Sequence, residues 1–289
     1  MDPVDADRTY GIKSDNQSLQ ILAILYEGFF KVDAVSLSQT KGVFKMKIQT
    51  VFERTEKKYI LTLAQRRELL KRIAEHINPD EYGESTVCSL YFDTDDYRLI
   101  RRSMEKPVYK EKLRLRSYST PKRDSNVFLE LKKKYNGVVY KRRKTMKLGE
   151  AKDYLKYGVM PDDSQIMREL DWAMKYYKTI APRVFIAYDR TAFYSKTDHE
   201  LRITFDRNVR FRTTNLDLSK GDYGERILTP GLCVMEIKAL SAMPLWLTEA
   251  LAQMRIFPGT FSKYGTAYQL IEERKKNHLS DYKGGRPCA

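Results

Sequence analysis

The sequence predicts an α+β fold: an antiparallel β-barrel, or tunnel, with a charged lumen and helices around it. Two observations lead there. Six segments place charged side chains at every second position with mostly apolar residues between them. Lys112-Leu113-Arg114-Leu115-Arg116 and Glu130-Leu131-Lys132-Lys133-Lys134 are the clearest, and the others are Arg54 to Lys58, Tyr188 to Arg190, Glu200 to Thr204 and Glu236 to Lys238. A strand turns successive side chains to opposite faces, so each segment shows Lys, Arg and Glu on one surface and Leu, Ile or Met on the other. Between these segments lie stretches of helical periodicity that can cover the apolar surface. Unpaired buried charge is costly, so the charged sides cannot form an ordinary core. Closing the sheet around a wide lumen filled with water and ligand, apolar positions outward, removes the conflict. A two-layer sheet with helices on its apolar face and a basic groove on the other is the alternative architecture.

The elements follow in order. Residues 1–47 match no alternating pattern and read as an N-terminal extension with a short helix around Leu19 to Phe30. Residues 48–276 read as the tunnel domain and 277–289 as a polar tail. The domain opens with a strand from Val51 to Tyr59. A helix from Thr62 to His76 follows, on which Leu69, Leu70, Ile73 and Ile77 recur at helical spacing. Ser89 to Asp93 reads as a short strand, and the acidic run Asp93 to Asp96 supplies capping oxygens for a helix toward Ser103. Strands are expected over Val108 to Tyr118 and Asn126 to Tyr135, and Asn136-Gly137 closes a hairpin into Val138 to Met146. Helices over Gly149 to Tyr157 and Ser164 to Thr179 come next, then strands Val184 to Tyr194, Glu200 to Arg210 and Leu232 to Ala239. Helices from Pro244 to Arg255 and Thr266 to Lys276 end the domain.

Composition narrows the function. Among 289 residues, 53 Lys and Arg stand against 38 Asp and Glu, a formal charge of +15, which calls for an anionic partner. Nucleic-acid readers cluster cations on a helix or loop with exposed aromatics, whereas these cations are spread over many strands. Nucleic acid is therefore not the expected partner. Cys88, Cys233 and Cys288 show no metal or redox spacing, and the run Leu19 to Phe30 is too short to span a bilayer and contains Glu27. A cytoplasmic protein without membrane insertion is expected. His76, His199 and His278 read as surface residues, and no Ser/His/Asp or Cys/His nucleophile stands out.

Arg54-x-Glu56-x-Lys58-Tyr59, Tyr91-Phe92-Asp93-Thr94, Lys112-x-Arg114-x-Arg116, Glu130-x-Lys132-x-Lys134, Tyr188-x-Arg190-Thr191, Glu236-x-Lys238 and Phe261-Ser262-Lys263-Tyr264-Gly265 occur in this order. The ordered set resembles the VTC domain, the polyphosphate polymerase domain of the vacuolar transporter chaperone complex, in its stand-alone bacterial form. This is a branch of the triphosphate tunnel metalloenzymes. The resemblance runs from about Val51 to Lys275. It implies transfer of the γ-phosphate of ATP onto inorganic polyphosphate, with ATP and polyphosphate as partners and Mn2+, or Mg2+, as cofactor.

The resemblance also implies a site. Catalytic roles fall to Lys58, Arg114, Arg116, Lys132, Arg190 and Lys263; substrate binding to Lys134, Arg142, Tyr188, Ser262, Arg54 and Glu56; metal binding to Glu236. The sequence departs from the superfamily at one place and from the fungal catalytic subunit at two. Arg54 replaces the first glutamate of the superfamily's Glu-x-Glu-x-Lys strand, as in other VTC-type domains. Lys134 stands where the fungal catalytic subunit has histidine, and Thr260 where it has lysine. The run Lys141-Arg142-Arg143-Lys144 puts cations on both faces, so a one-residue slip would exchange Arg142 for Lys141 or Arg143. Glu56, Glu130 and Glu200 also read as salt-bridge partners of neighbouring cations, a role that for Glu130 and Glu200 stands level with metal binding. A non-catalytic polyphosphate-binding module and a tunnel triphosphatase are the alternative functions.

Overall fold

Thr62 marks where the first strand gives way to the first helix. Its Oγ1 accepts from the Gln65 N–H at 3.1 Å, while the Gln65 side chain accepts from the Thr62 N–H at 2.9 Å. This reciprocal capping box satisfies donors that a helix start leaves orphaned, and it separates β1 (Thr55–Thr62) from α1 (Leu63–Arg72). In this computed structural model, the described residues are 55–284 apart from Gly137 and Ser241. The expected extension 1–47 and Arg54 lie outside them.

Strand β2 (Ile77–Asp93) is far longer than the Ser89 to Asp93 expected. Its first half holds Pro79 and Gly83 and lacks alternation, yet it pairs with the later strand Ala181–Ser195 across a register shift between Pro79 and Glu84. Helix α2 (Arg98–Met104) follows the acidic run. Strands β3 (Tyr109–Tyr118), β4 (Asn126–Tyr135) and β5 (Val138–Lys147) form consecutive hairpins, close to expectation. Helices α3 (Leu148–Tyr157) and α4 (Gln165–Tyr176) lead to β6 (Ala181–Ser195) and β7 (Arg202–Arg212). A 3-10 turn at Leu218–Lys220 and the two-residue β8 (Glu225–Arg226), neither visible in the sequence pattern, precede β9 (Leu232–Ala239). Helix α5 (Leu245–Gln253) and helix α6 (Lys263–Gly284) complete the domain, α6 running into the segment expected to be a tail. No helix among the described residues is long and apolar enough to cross a membrane.

The nine strands make one sheet in the order β1-β9-β7-β6-β2-β3-β4-β5, with β8 against β7, and every pairing is antiparallel. The sheet is not closed into the expected barrel: β1 and β5 are its edges and do not pair. It curls far enough that Glu56 on β1 comes within 3.8 Å of Lys132 on β4. At the β1 edge the chain before α6 intervenes, where the Gly259 N–H donates to the Lys58 carbonyl at 2.7 Å. That contact uses backbone groups through which an edge strand would otherwise pair.

Two apolar clusters cover the outer face. Leu113, Leu115, Leu129 and Leu131 pack under α3 and α4 through Leu148, Tyr154, Met167 and Leu170. Tyr59, Leu61, Ile203, Phe205, Met235 and Ile237 pack under α1 and α5. The expectation that apolar positions face only outward needs correction. A third cluster lies on the inner face, where Val87, Ile186, Val209 and Val234 meet Ile100 of α2 and Tyr264 and Ala267 of α6. One part of the inner face is therefore packed, and the rest is left to the charges.

Candidate functional site: a basic inner face

Alternation along β3 and β4 sets the inner face. On β3 it carries Lys110, Lys112, Arg114 and Arg116, and on β4 Glu130, Lys132 and Lys134. Cross-strand partners are Arg114 with Glu130, Lys112 with Lys132 and Lys110 with Lys134. Glu130 is 1 % exposed and serves as an anionic hub. It accepts from Arg114 Nε at 2.7 Å and Arg143 Nε at 2.6 Å, pairs with Lys141 at 2.8 Å, and has Arg116 at 3.9 Å. Burial pushes the Glu130 carboxyl up, but these cations outweigh it and hold it far below the usual carboxylate range. Of the two roles open to Glu130, the geometry assigns salt-bridge partner.

A second hub was not foreseen. Asp206, fully buried on β7, accepts from Arg190 Nε at 2.6 Å and Nη2 at 2.8 Å, and from Lys263 Nζ at 2.5 Å. Lys263 opens α6, so one carboxylate joins a helix start to two neighbouring strands. Against the upward push of burial, Lys263 and Arg190 keep Asp206 well below its ordinary range. The signal for it was its alternation with Thr204, next to the Glu200 to Thr204 segment. Tyr188 lies beneath the same cations, its ring 5.1 Å from the Arg190 guanidinium and 4.4 Å from Lys263 Nζ, and its hydroxyl accepts from Arg116 at 3.5 Å.

Glu236 on β9 is buried and paired with Lys238 at 2.8 Å. Burial raises its carboxyl, but Lys238, Lys58 and Arg190 bring it down to about 2. On β1, Glu56 pairs with Lys58 at 3.2 Å. Ser262 caps α6 by accepting from the Gly265 N–H at 3.1 Å, and receives Lys112 Nζ at 3.4 Å. Glu200 is exposed in the turn before β7, away from any strand.

Arg142 departs from the expected set. The hairpin register pairs it with Leu131, on the helix-covered face, where its Nε donates to Glu169 of α4 at 2.6 Å. Its neighbours Lys141 and Arg143 take the inner face, as their shared contact with Glu130 requires.

Beside these hubs opens a cavity of about 450 Å3 lined by Lys58, Lys106, Lys110, Lys112, Lys132 and Lys134, with Thr260 and Ser262 among its polar walls. Burial, followed by Lys58, Lys132 and Lys110, brings the Lys112 amine down to about 8 despite the opposing pull of Tyr91. Lys110 and Lys132 shift in the same direction, mainly through burial. Of the residues expected to act together, Lys58, Arg114, Arg116, Lys132, Lys134, Tyr188, Arg190, Glu236, Ser262 and Lys263 belong to this one inner surface. Such a surface can hold a linear or branched polyanion along several points.

A protein-only metal centre does not fit. Among the described residues no three His, Cys, Asp or Glu side chains gather to hold an ion. A hard divalent cation coordinated by Glu236 and otherwise by phosphate oxygens and water does fit the donor set.

No curated protein matches this sequence. Among solved structures, a candidate adenylate cyclase from Bacillus halodurans is 15 % identical with a TM-score of 0.47, over 72 % of this chain and 92 % of that one. A candidate adenylyl cyclase from Hippeastrum, described as having a dominant triphosphatase activity, is 14 % identical with a TM-score of 0.43, over 72 % and 92 %. The VTC domain model matches residues 53–272, which include the two hubs and the lysine cavity, and the chain belongs to the VTC domain family.

Proposed function

We propose that this protein is a polyphosphate polymerase that uses ATP. The observation that carries this reading is the continuity of the inner face. Arg114, Arg116, Arg190 and Lys263 adjoin a lysine-lined cavity through Lys112 and Ser262, and a row of cations suits a chain better than a compact ion. Phosphoryl transfer asks little covalent chemistry of the protein and much positioning of charge. The terminal phosphate oxygen of the polymer attacks the γ-phosphorus of ATP, the bond from γ-phosphorus to the bridging oxygen breaks, and ADP leaves with that oxygen. No proton acceptor is required, because the attacking oxygen is already ionised.

In this reading Arg114 and Arg190, forked and pre-oriented by Glu130 and Asp206, fix the transferred group, while Lys58, Lys132 and Lys263 offset its charge. Tyr188 and Ser262 supply hydroxyl contacts, and Glu56 holds Lys58 and Lys132 in place. Glu236 would hold Mn2+ or Mg2+, which supplies neutralisation of the terminal phosphate oxygens. The pairing of Glu236 with Lys238 and the lack of a carboxylate cluster among the described residues favour a second reading, a holder of polyphosphate without turnover.

Purified protein with ATP and Mn2+, analysed on a gel that resolves polyphosphate, tests both. A metal-dependent ladder, lost in Glu236→Gln and Arg114→Ala, is the expected result. Orthophosphate without chain growth would replace the polymerase by a triphosphatase, and tight polyphosphate binding without turnover would leave the holder.

A further inference from the structure

One polar side chain on the inner face has no part in its ion-pair network. Thr204 lies on β7 between Ile203 and Phe205, which turn to the outer apolar cluster. It is 3 % exposed, and its Oγ1 is buried with no hydrogen-bond partner among the described residues. Burying a hydroxyl without a partner is costly, and valine would fill the same shape without that cost. The polar residues beside it on β7 are engaged elsewhere: Arg202 pairs with Asp80, and Asp206 with Arg190 and Lys263. On the β6 side Thr204 faces Ala192, which offers only a methyl group. On the β9 side it stands directly opposite Glu236.

We propose that Thr204 is a second protein ligand of the divalent cation at Glu236, its hydroxyl oxygen taking the place of one water in the shell. This role rests on the assignment of the metal to Glu236, and not on whether phosphate is then transferred or only held. Side chains of directly opposed residues on adjoining strands start about 5 Å apart, so one ion can touch both. A hydroxyl is a hard, neutral oxygen donor of the kind these ions accept, as in nucleotide-binding loops where a Ser or Thr hydroxyl meets Mg2+. Lys238, the present partner of Glu236, is half-buried and carries its ammonium on a flexible stem, so an arriving cation can displace it. A seat of one carboxylate and one hydroxyl carries a single negative charge. It therefore holds the ion weakly by itself and firmly once phosphate oxygens join, which ties metal binding to substrate binding.

The test is electron paramagnetic resonance of Mn2+ titrated into the full chain, alone and with β,γ-imido-ATP, beside thermal melts recorded without metal. Glu236→Gln should abolish the protein's share of Mn2+ binding. Thr204→Val should weaken that binding about tenfold, and Thr204→Ser, which keeps the hydroxyl, should stay within about twofold of wild type. In 17O-labelled water, broadening of the bound Mn2+ signal should show an additional water on the ion in Thr204→Val. Without metal, Thr204→Val should melt at or above the wild-type temperature, because only an unpartnered hydroxyl is lost. Unchanged Mn2+ affinity in Thr204→Val, with loss in Glu236→Gln, would overturn the role of Thr204 alone. A melting temperature clearly lowered in Thr204→Val would overturn it too, since the hydroxyl would then serve the fold. Glu236→Gln that binds Mn2+ as wild type does, or wild type that adds nothing to the nucleotide's own Mn2+ binding, would overturn the seat at Glu236 as well. Growth of polymer is read separately, on the gel.

Discussion

Two residues, Glu130 and Asp206, explain how so many arginines share one surface. Each is a buried carboxylate that meets cations from several elements, and neither faces water. A buried ion pair is not in itself a large source of stability, but removing one partner strands the others. Glu130→Gln takes away the negative charge that Arg114, Arg143 and Lys141 share and turns one acceptor oxygen into an NH2 donor, and should cost about 3–5 kcal/mol in chemical denaturation. Added polyphosphate should recover part of that loss, and recover more in the variant than in wild type, because phosphate oxygens can take the place of the missing carboxylate. Equal stabilisation of both proteins would show that the hub arginines do not meet the ligand. Asp206→Asn should behave likewise at Arg190 and Lys263.

At the scale of elements, α6 brings Lys263 and Tyr264 onto the inner face of the sheet, and one carboxylate ties it down. Asp93, at the end of β2, accepts from the N–H groups of Thr94, Leu99 and Ile100, and from the Tyr264 hydroxyl at 2.8 Å. It therefore starts α2 and anchors α6 next to Lys263. Tyr264 also stacks on Tyr91, whose hydroxyl accepts from Arg114. Tyr264→Phe should cost about 1 kcal/mol, since three donors to Asp93 remain, whereas Asp93→Ala leaves buried donors unpaired and should cost roughly 3 kcal/mol or more; urea unfolding measures both. The capping role of the acidic run was legible in the sequence, as were β4, β5 and the two outer apolar faces, because each is a local pattern. What escaped was non-local. The first half of β2 forms through pairing with β6 and carries no alternation of its own. Arg142 and Arg143 differ only in register, which the hairpin turn decides and composition does not. Asp206 looks like any strand acid until Lys263, distant in sequence, arrives beside it. The open seam between β1 and β5 depends on where Gly259 lands, which no periodicity records.

The whole molecule carries +15 in formal charge, and its response to pH should separate the carboxylate hubs from the lysine cavity. Glu130 and Asp206 have folded values below those of free carboxylates. Their contribution to stability is complete above about pH 4, the unfolded range, and is lost as pH falls toward the folded values. Acid denaturation should therefore steepen below about pH 4, and Asp206→Asn should flatten that slope. At the alkaline side the sign is opposite. Lys112 faces Lys58 on β1, Tyr91 on β2, Lys110 on its own strand, Lys132 on β4 and Ser262 ahead of α6, and its amine is brought down to about 8. Between about pH 8 and the ordinary lysine value near 10.4, the unfolded chain binds a proton at this position that the folded chain has shed, so stability should rise with pH. Over the same interval the cavity loses positive charge while the internal phosphates of polyphosphate stay ionised, so affinity for the chain should fall. Thermal melts and binding isotherms measured side by side across this range should thus show opposite slopes, and Lys112→Arg, which keeps its charge, should remove much of both. Affinity that stays level through the interval would mean that the lysine cavity does not carry the ligand.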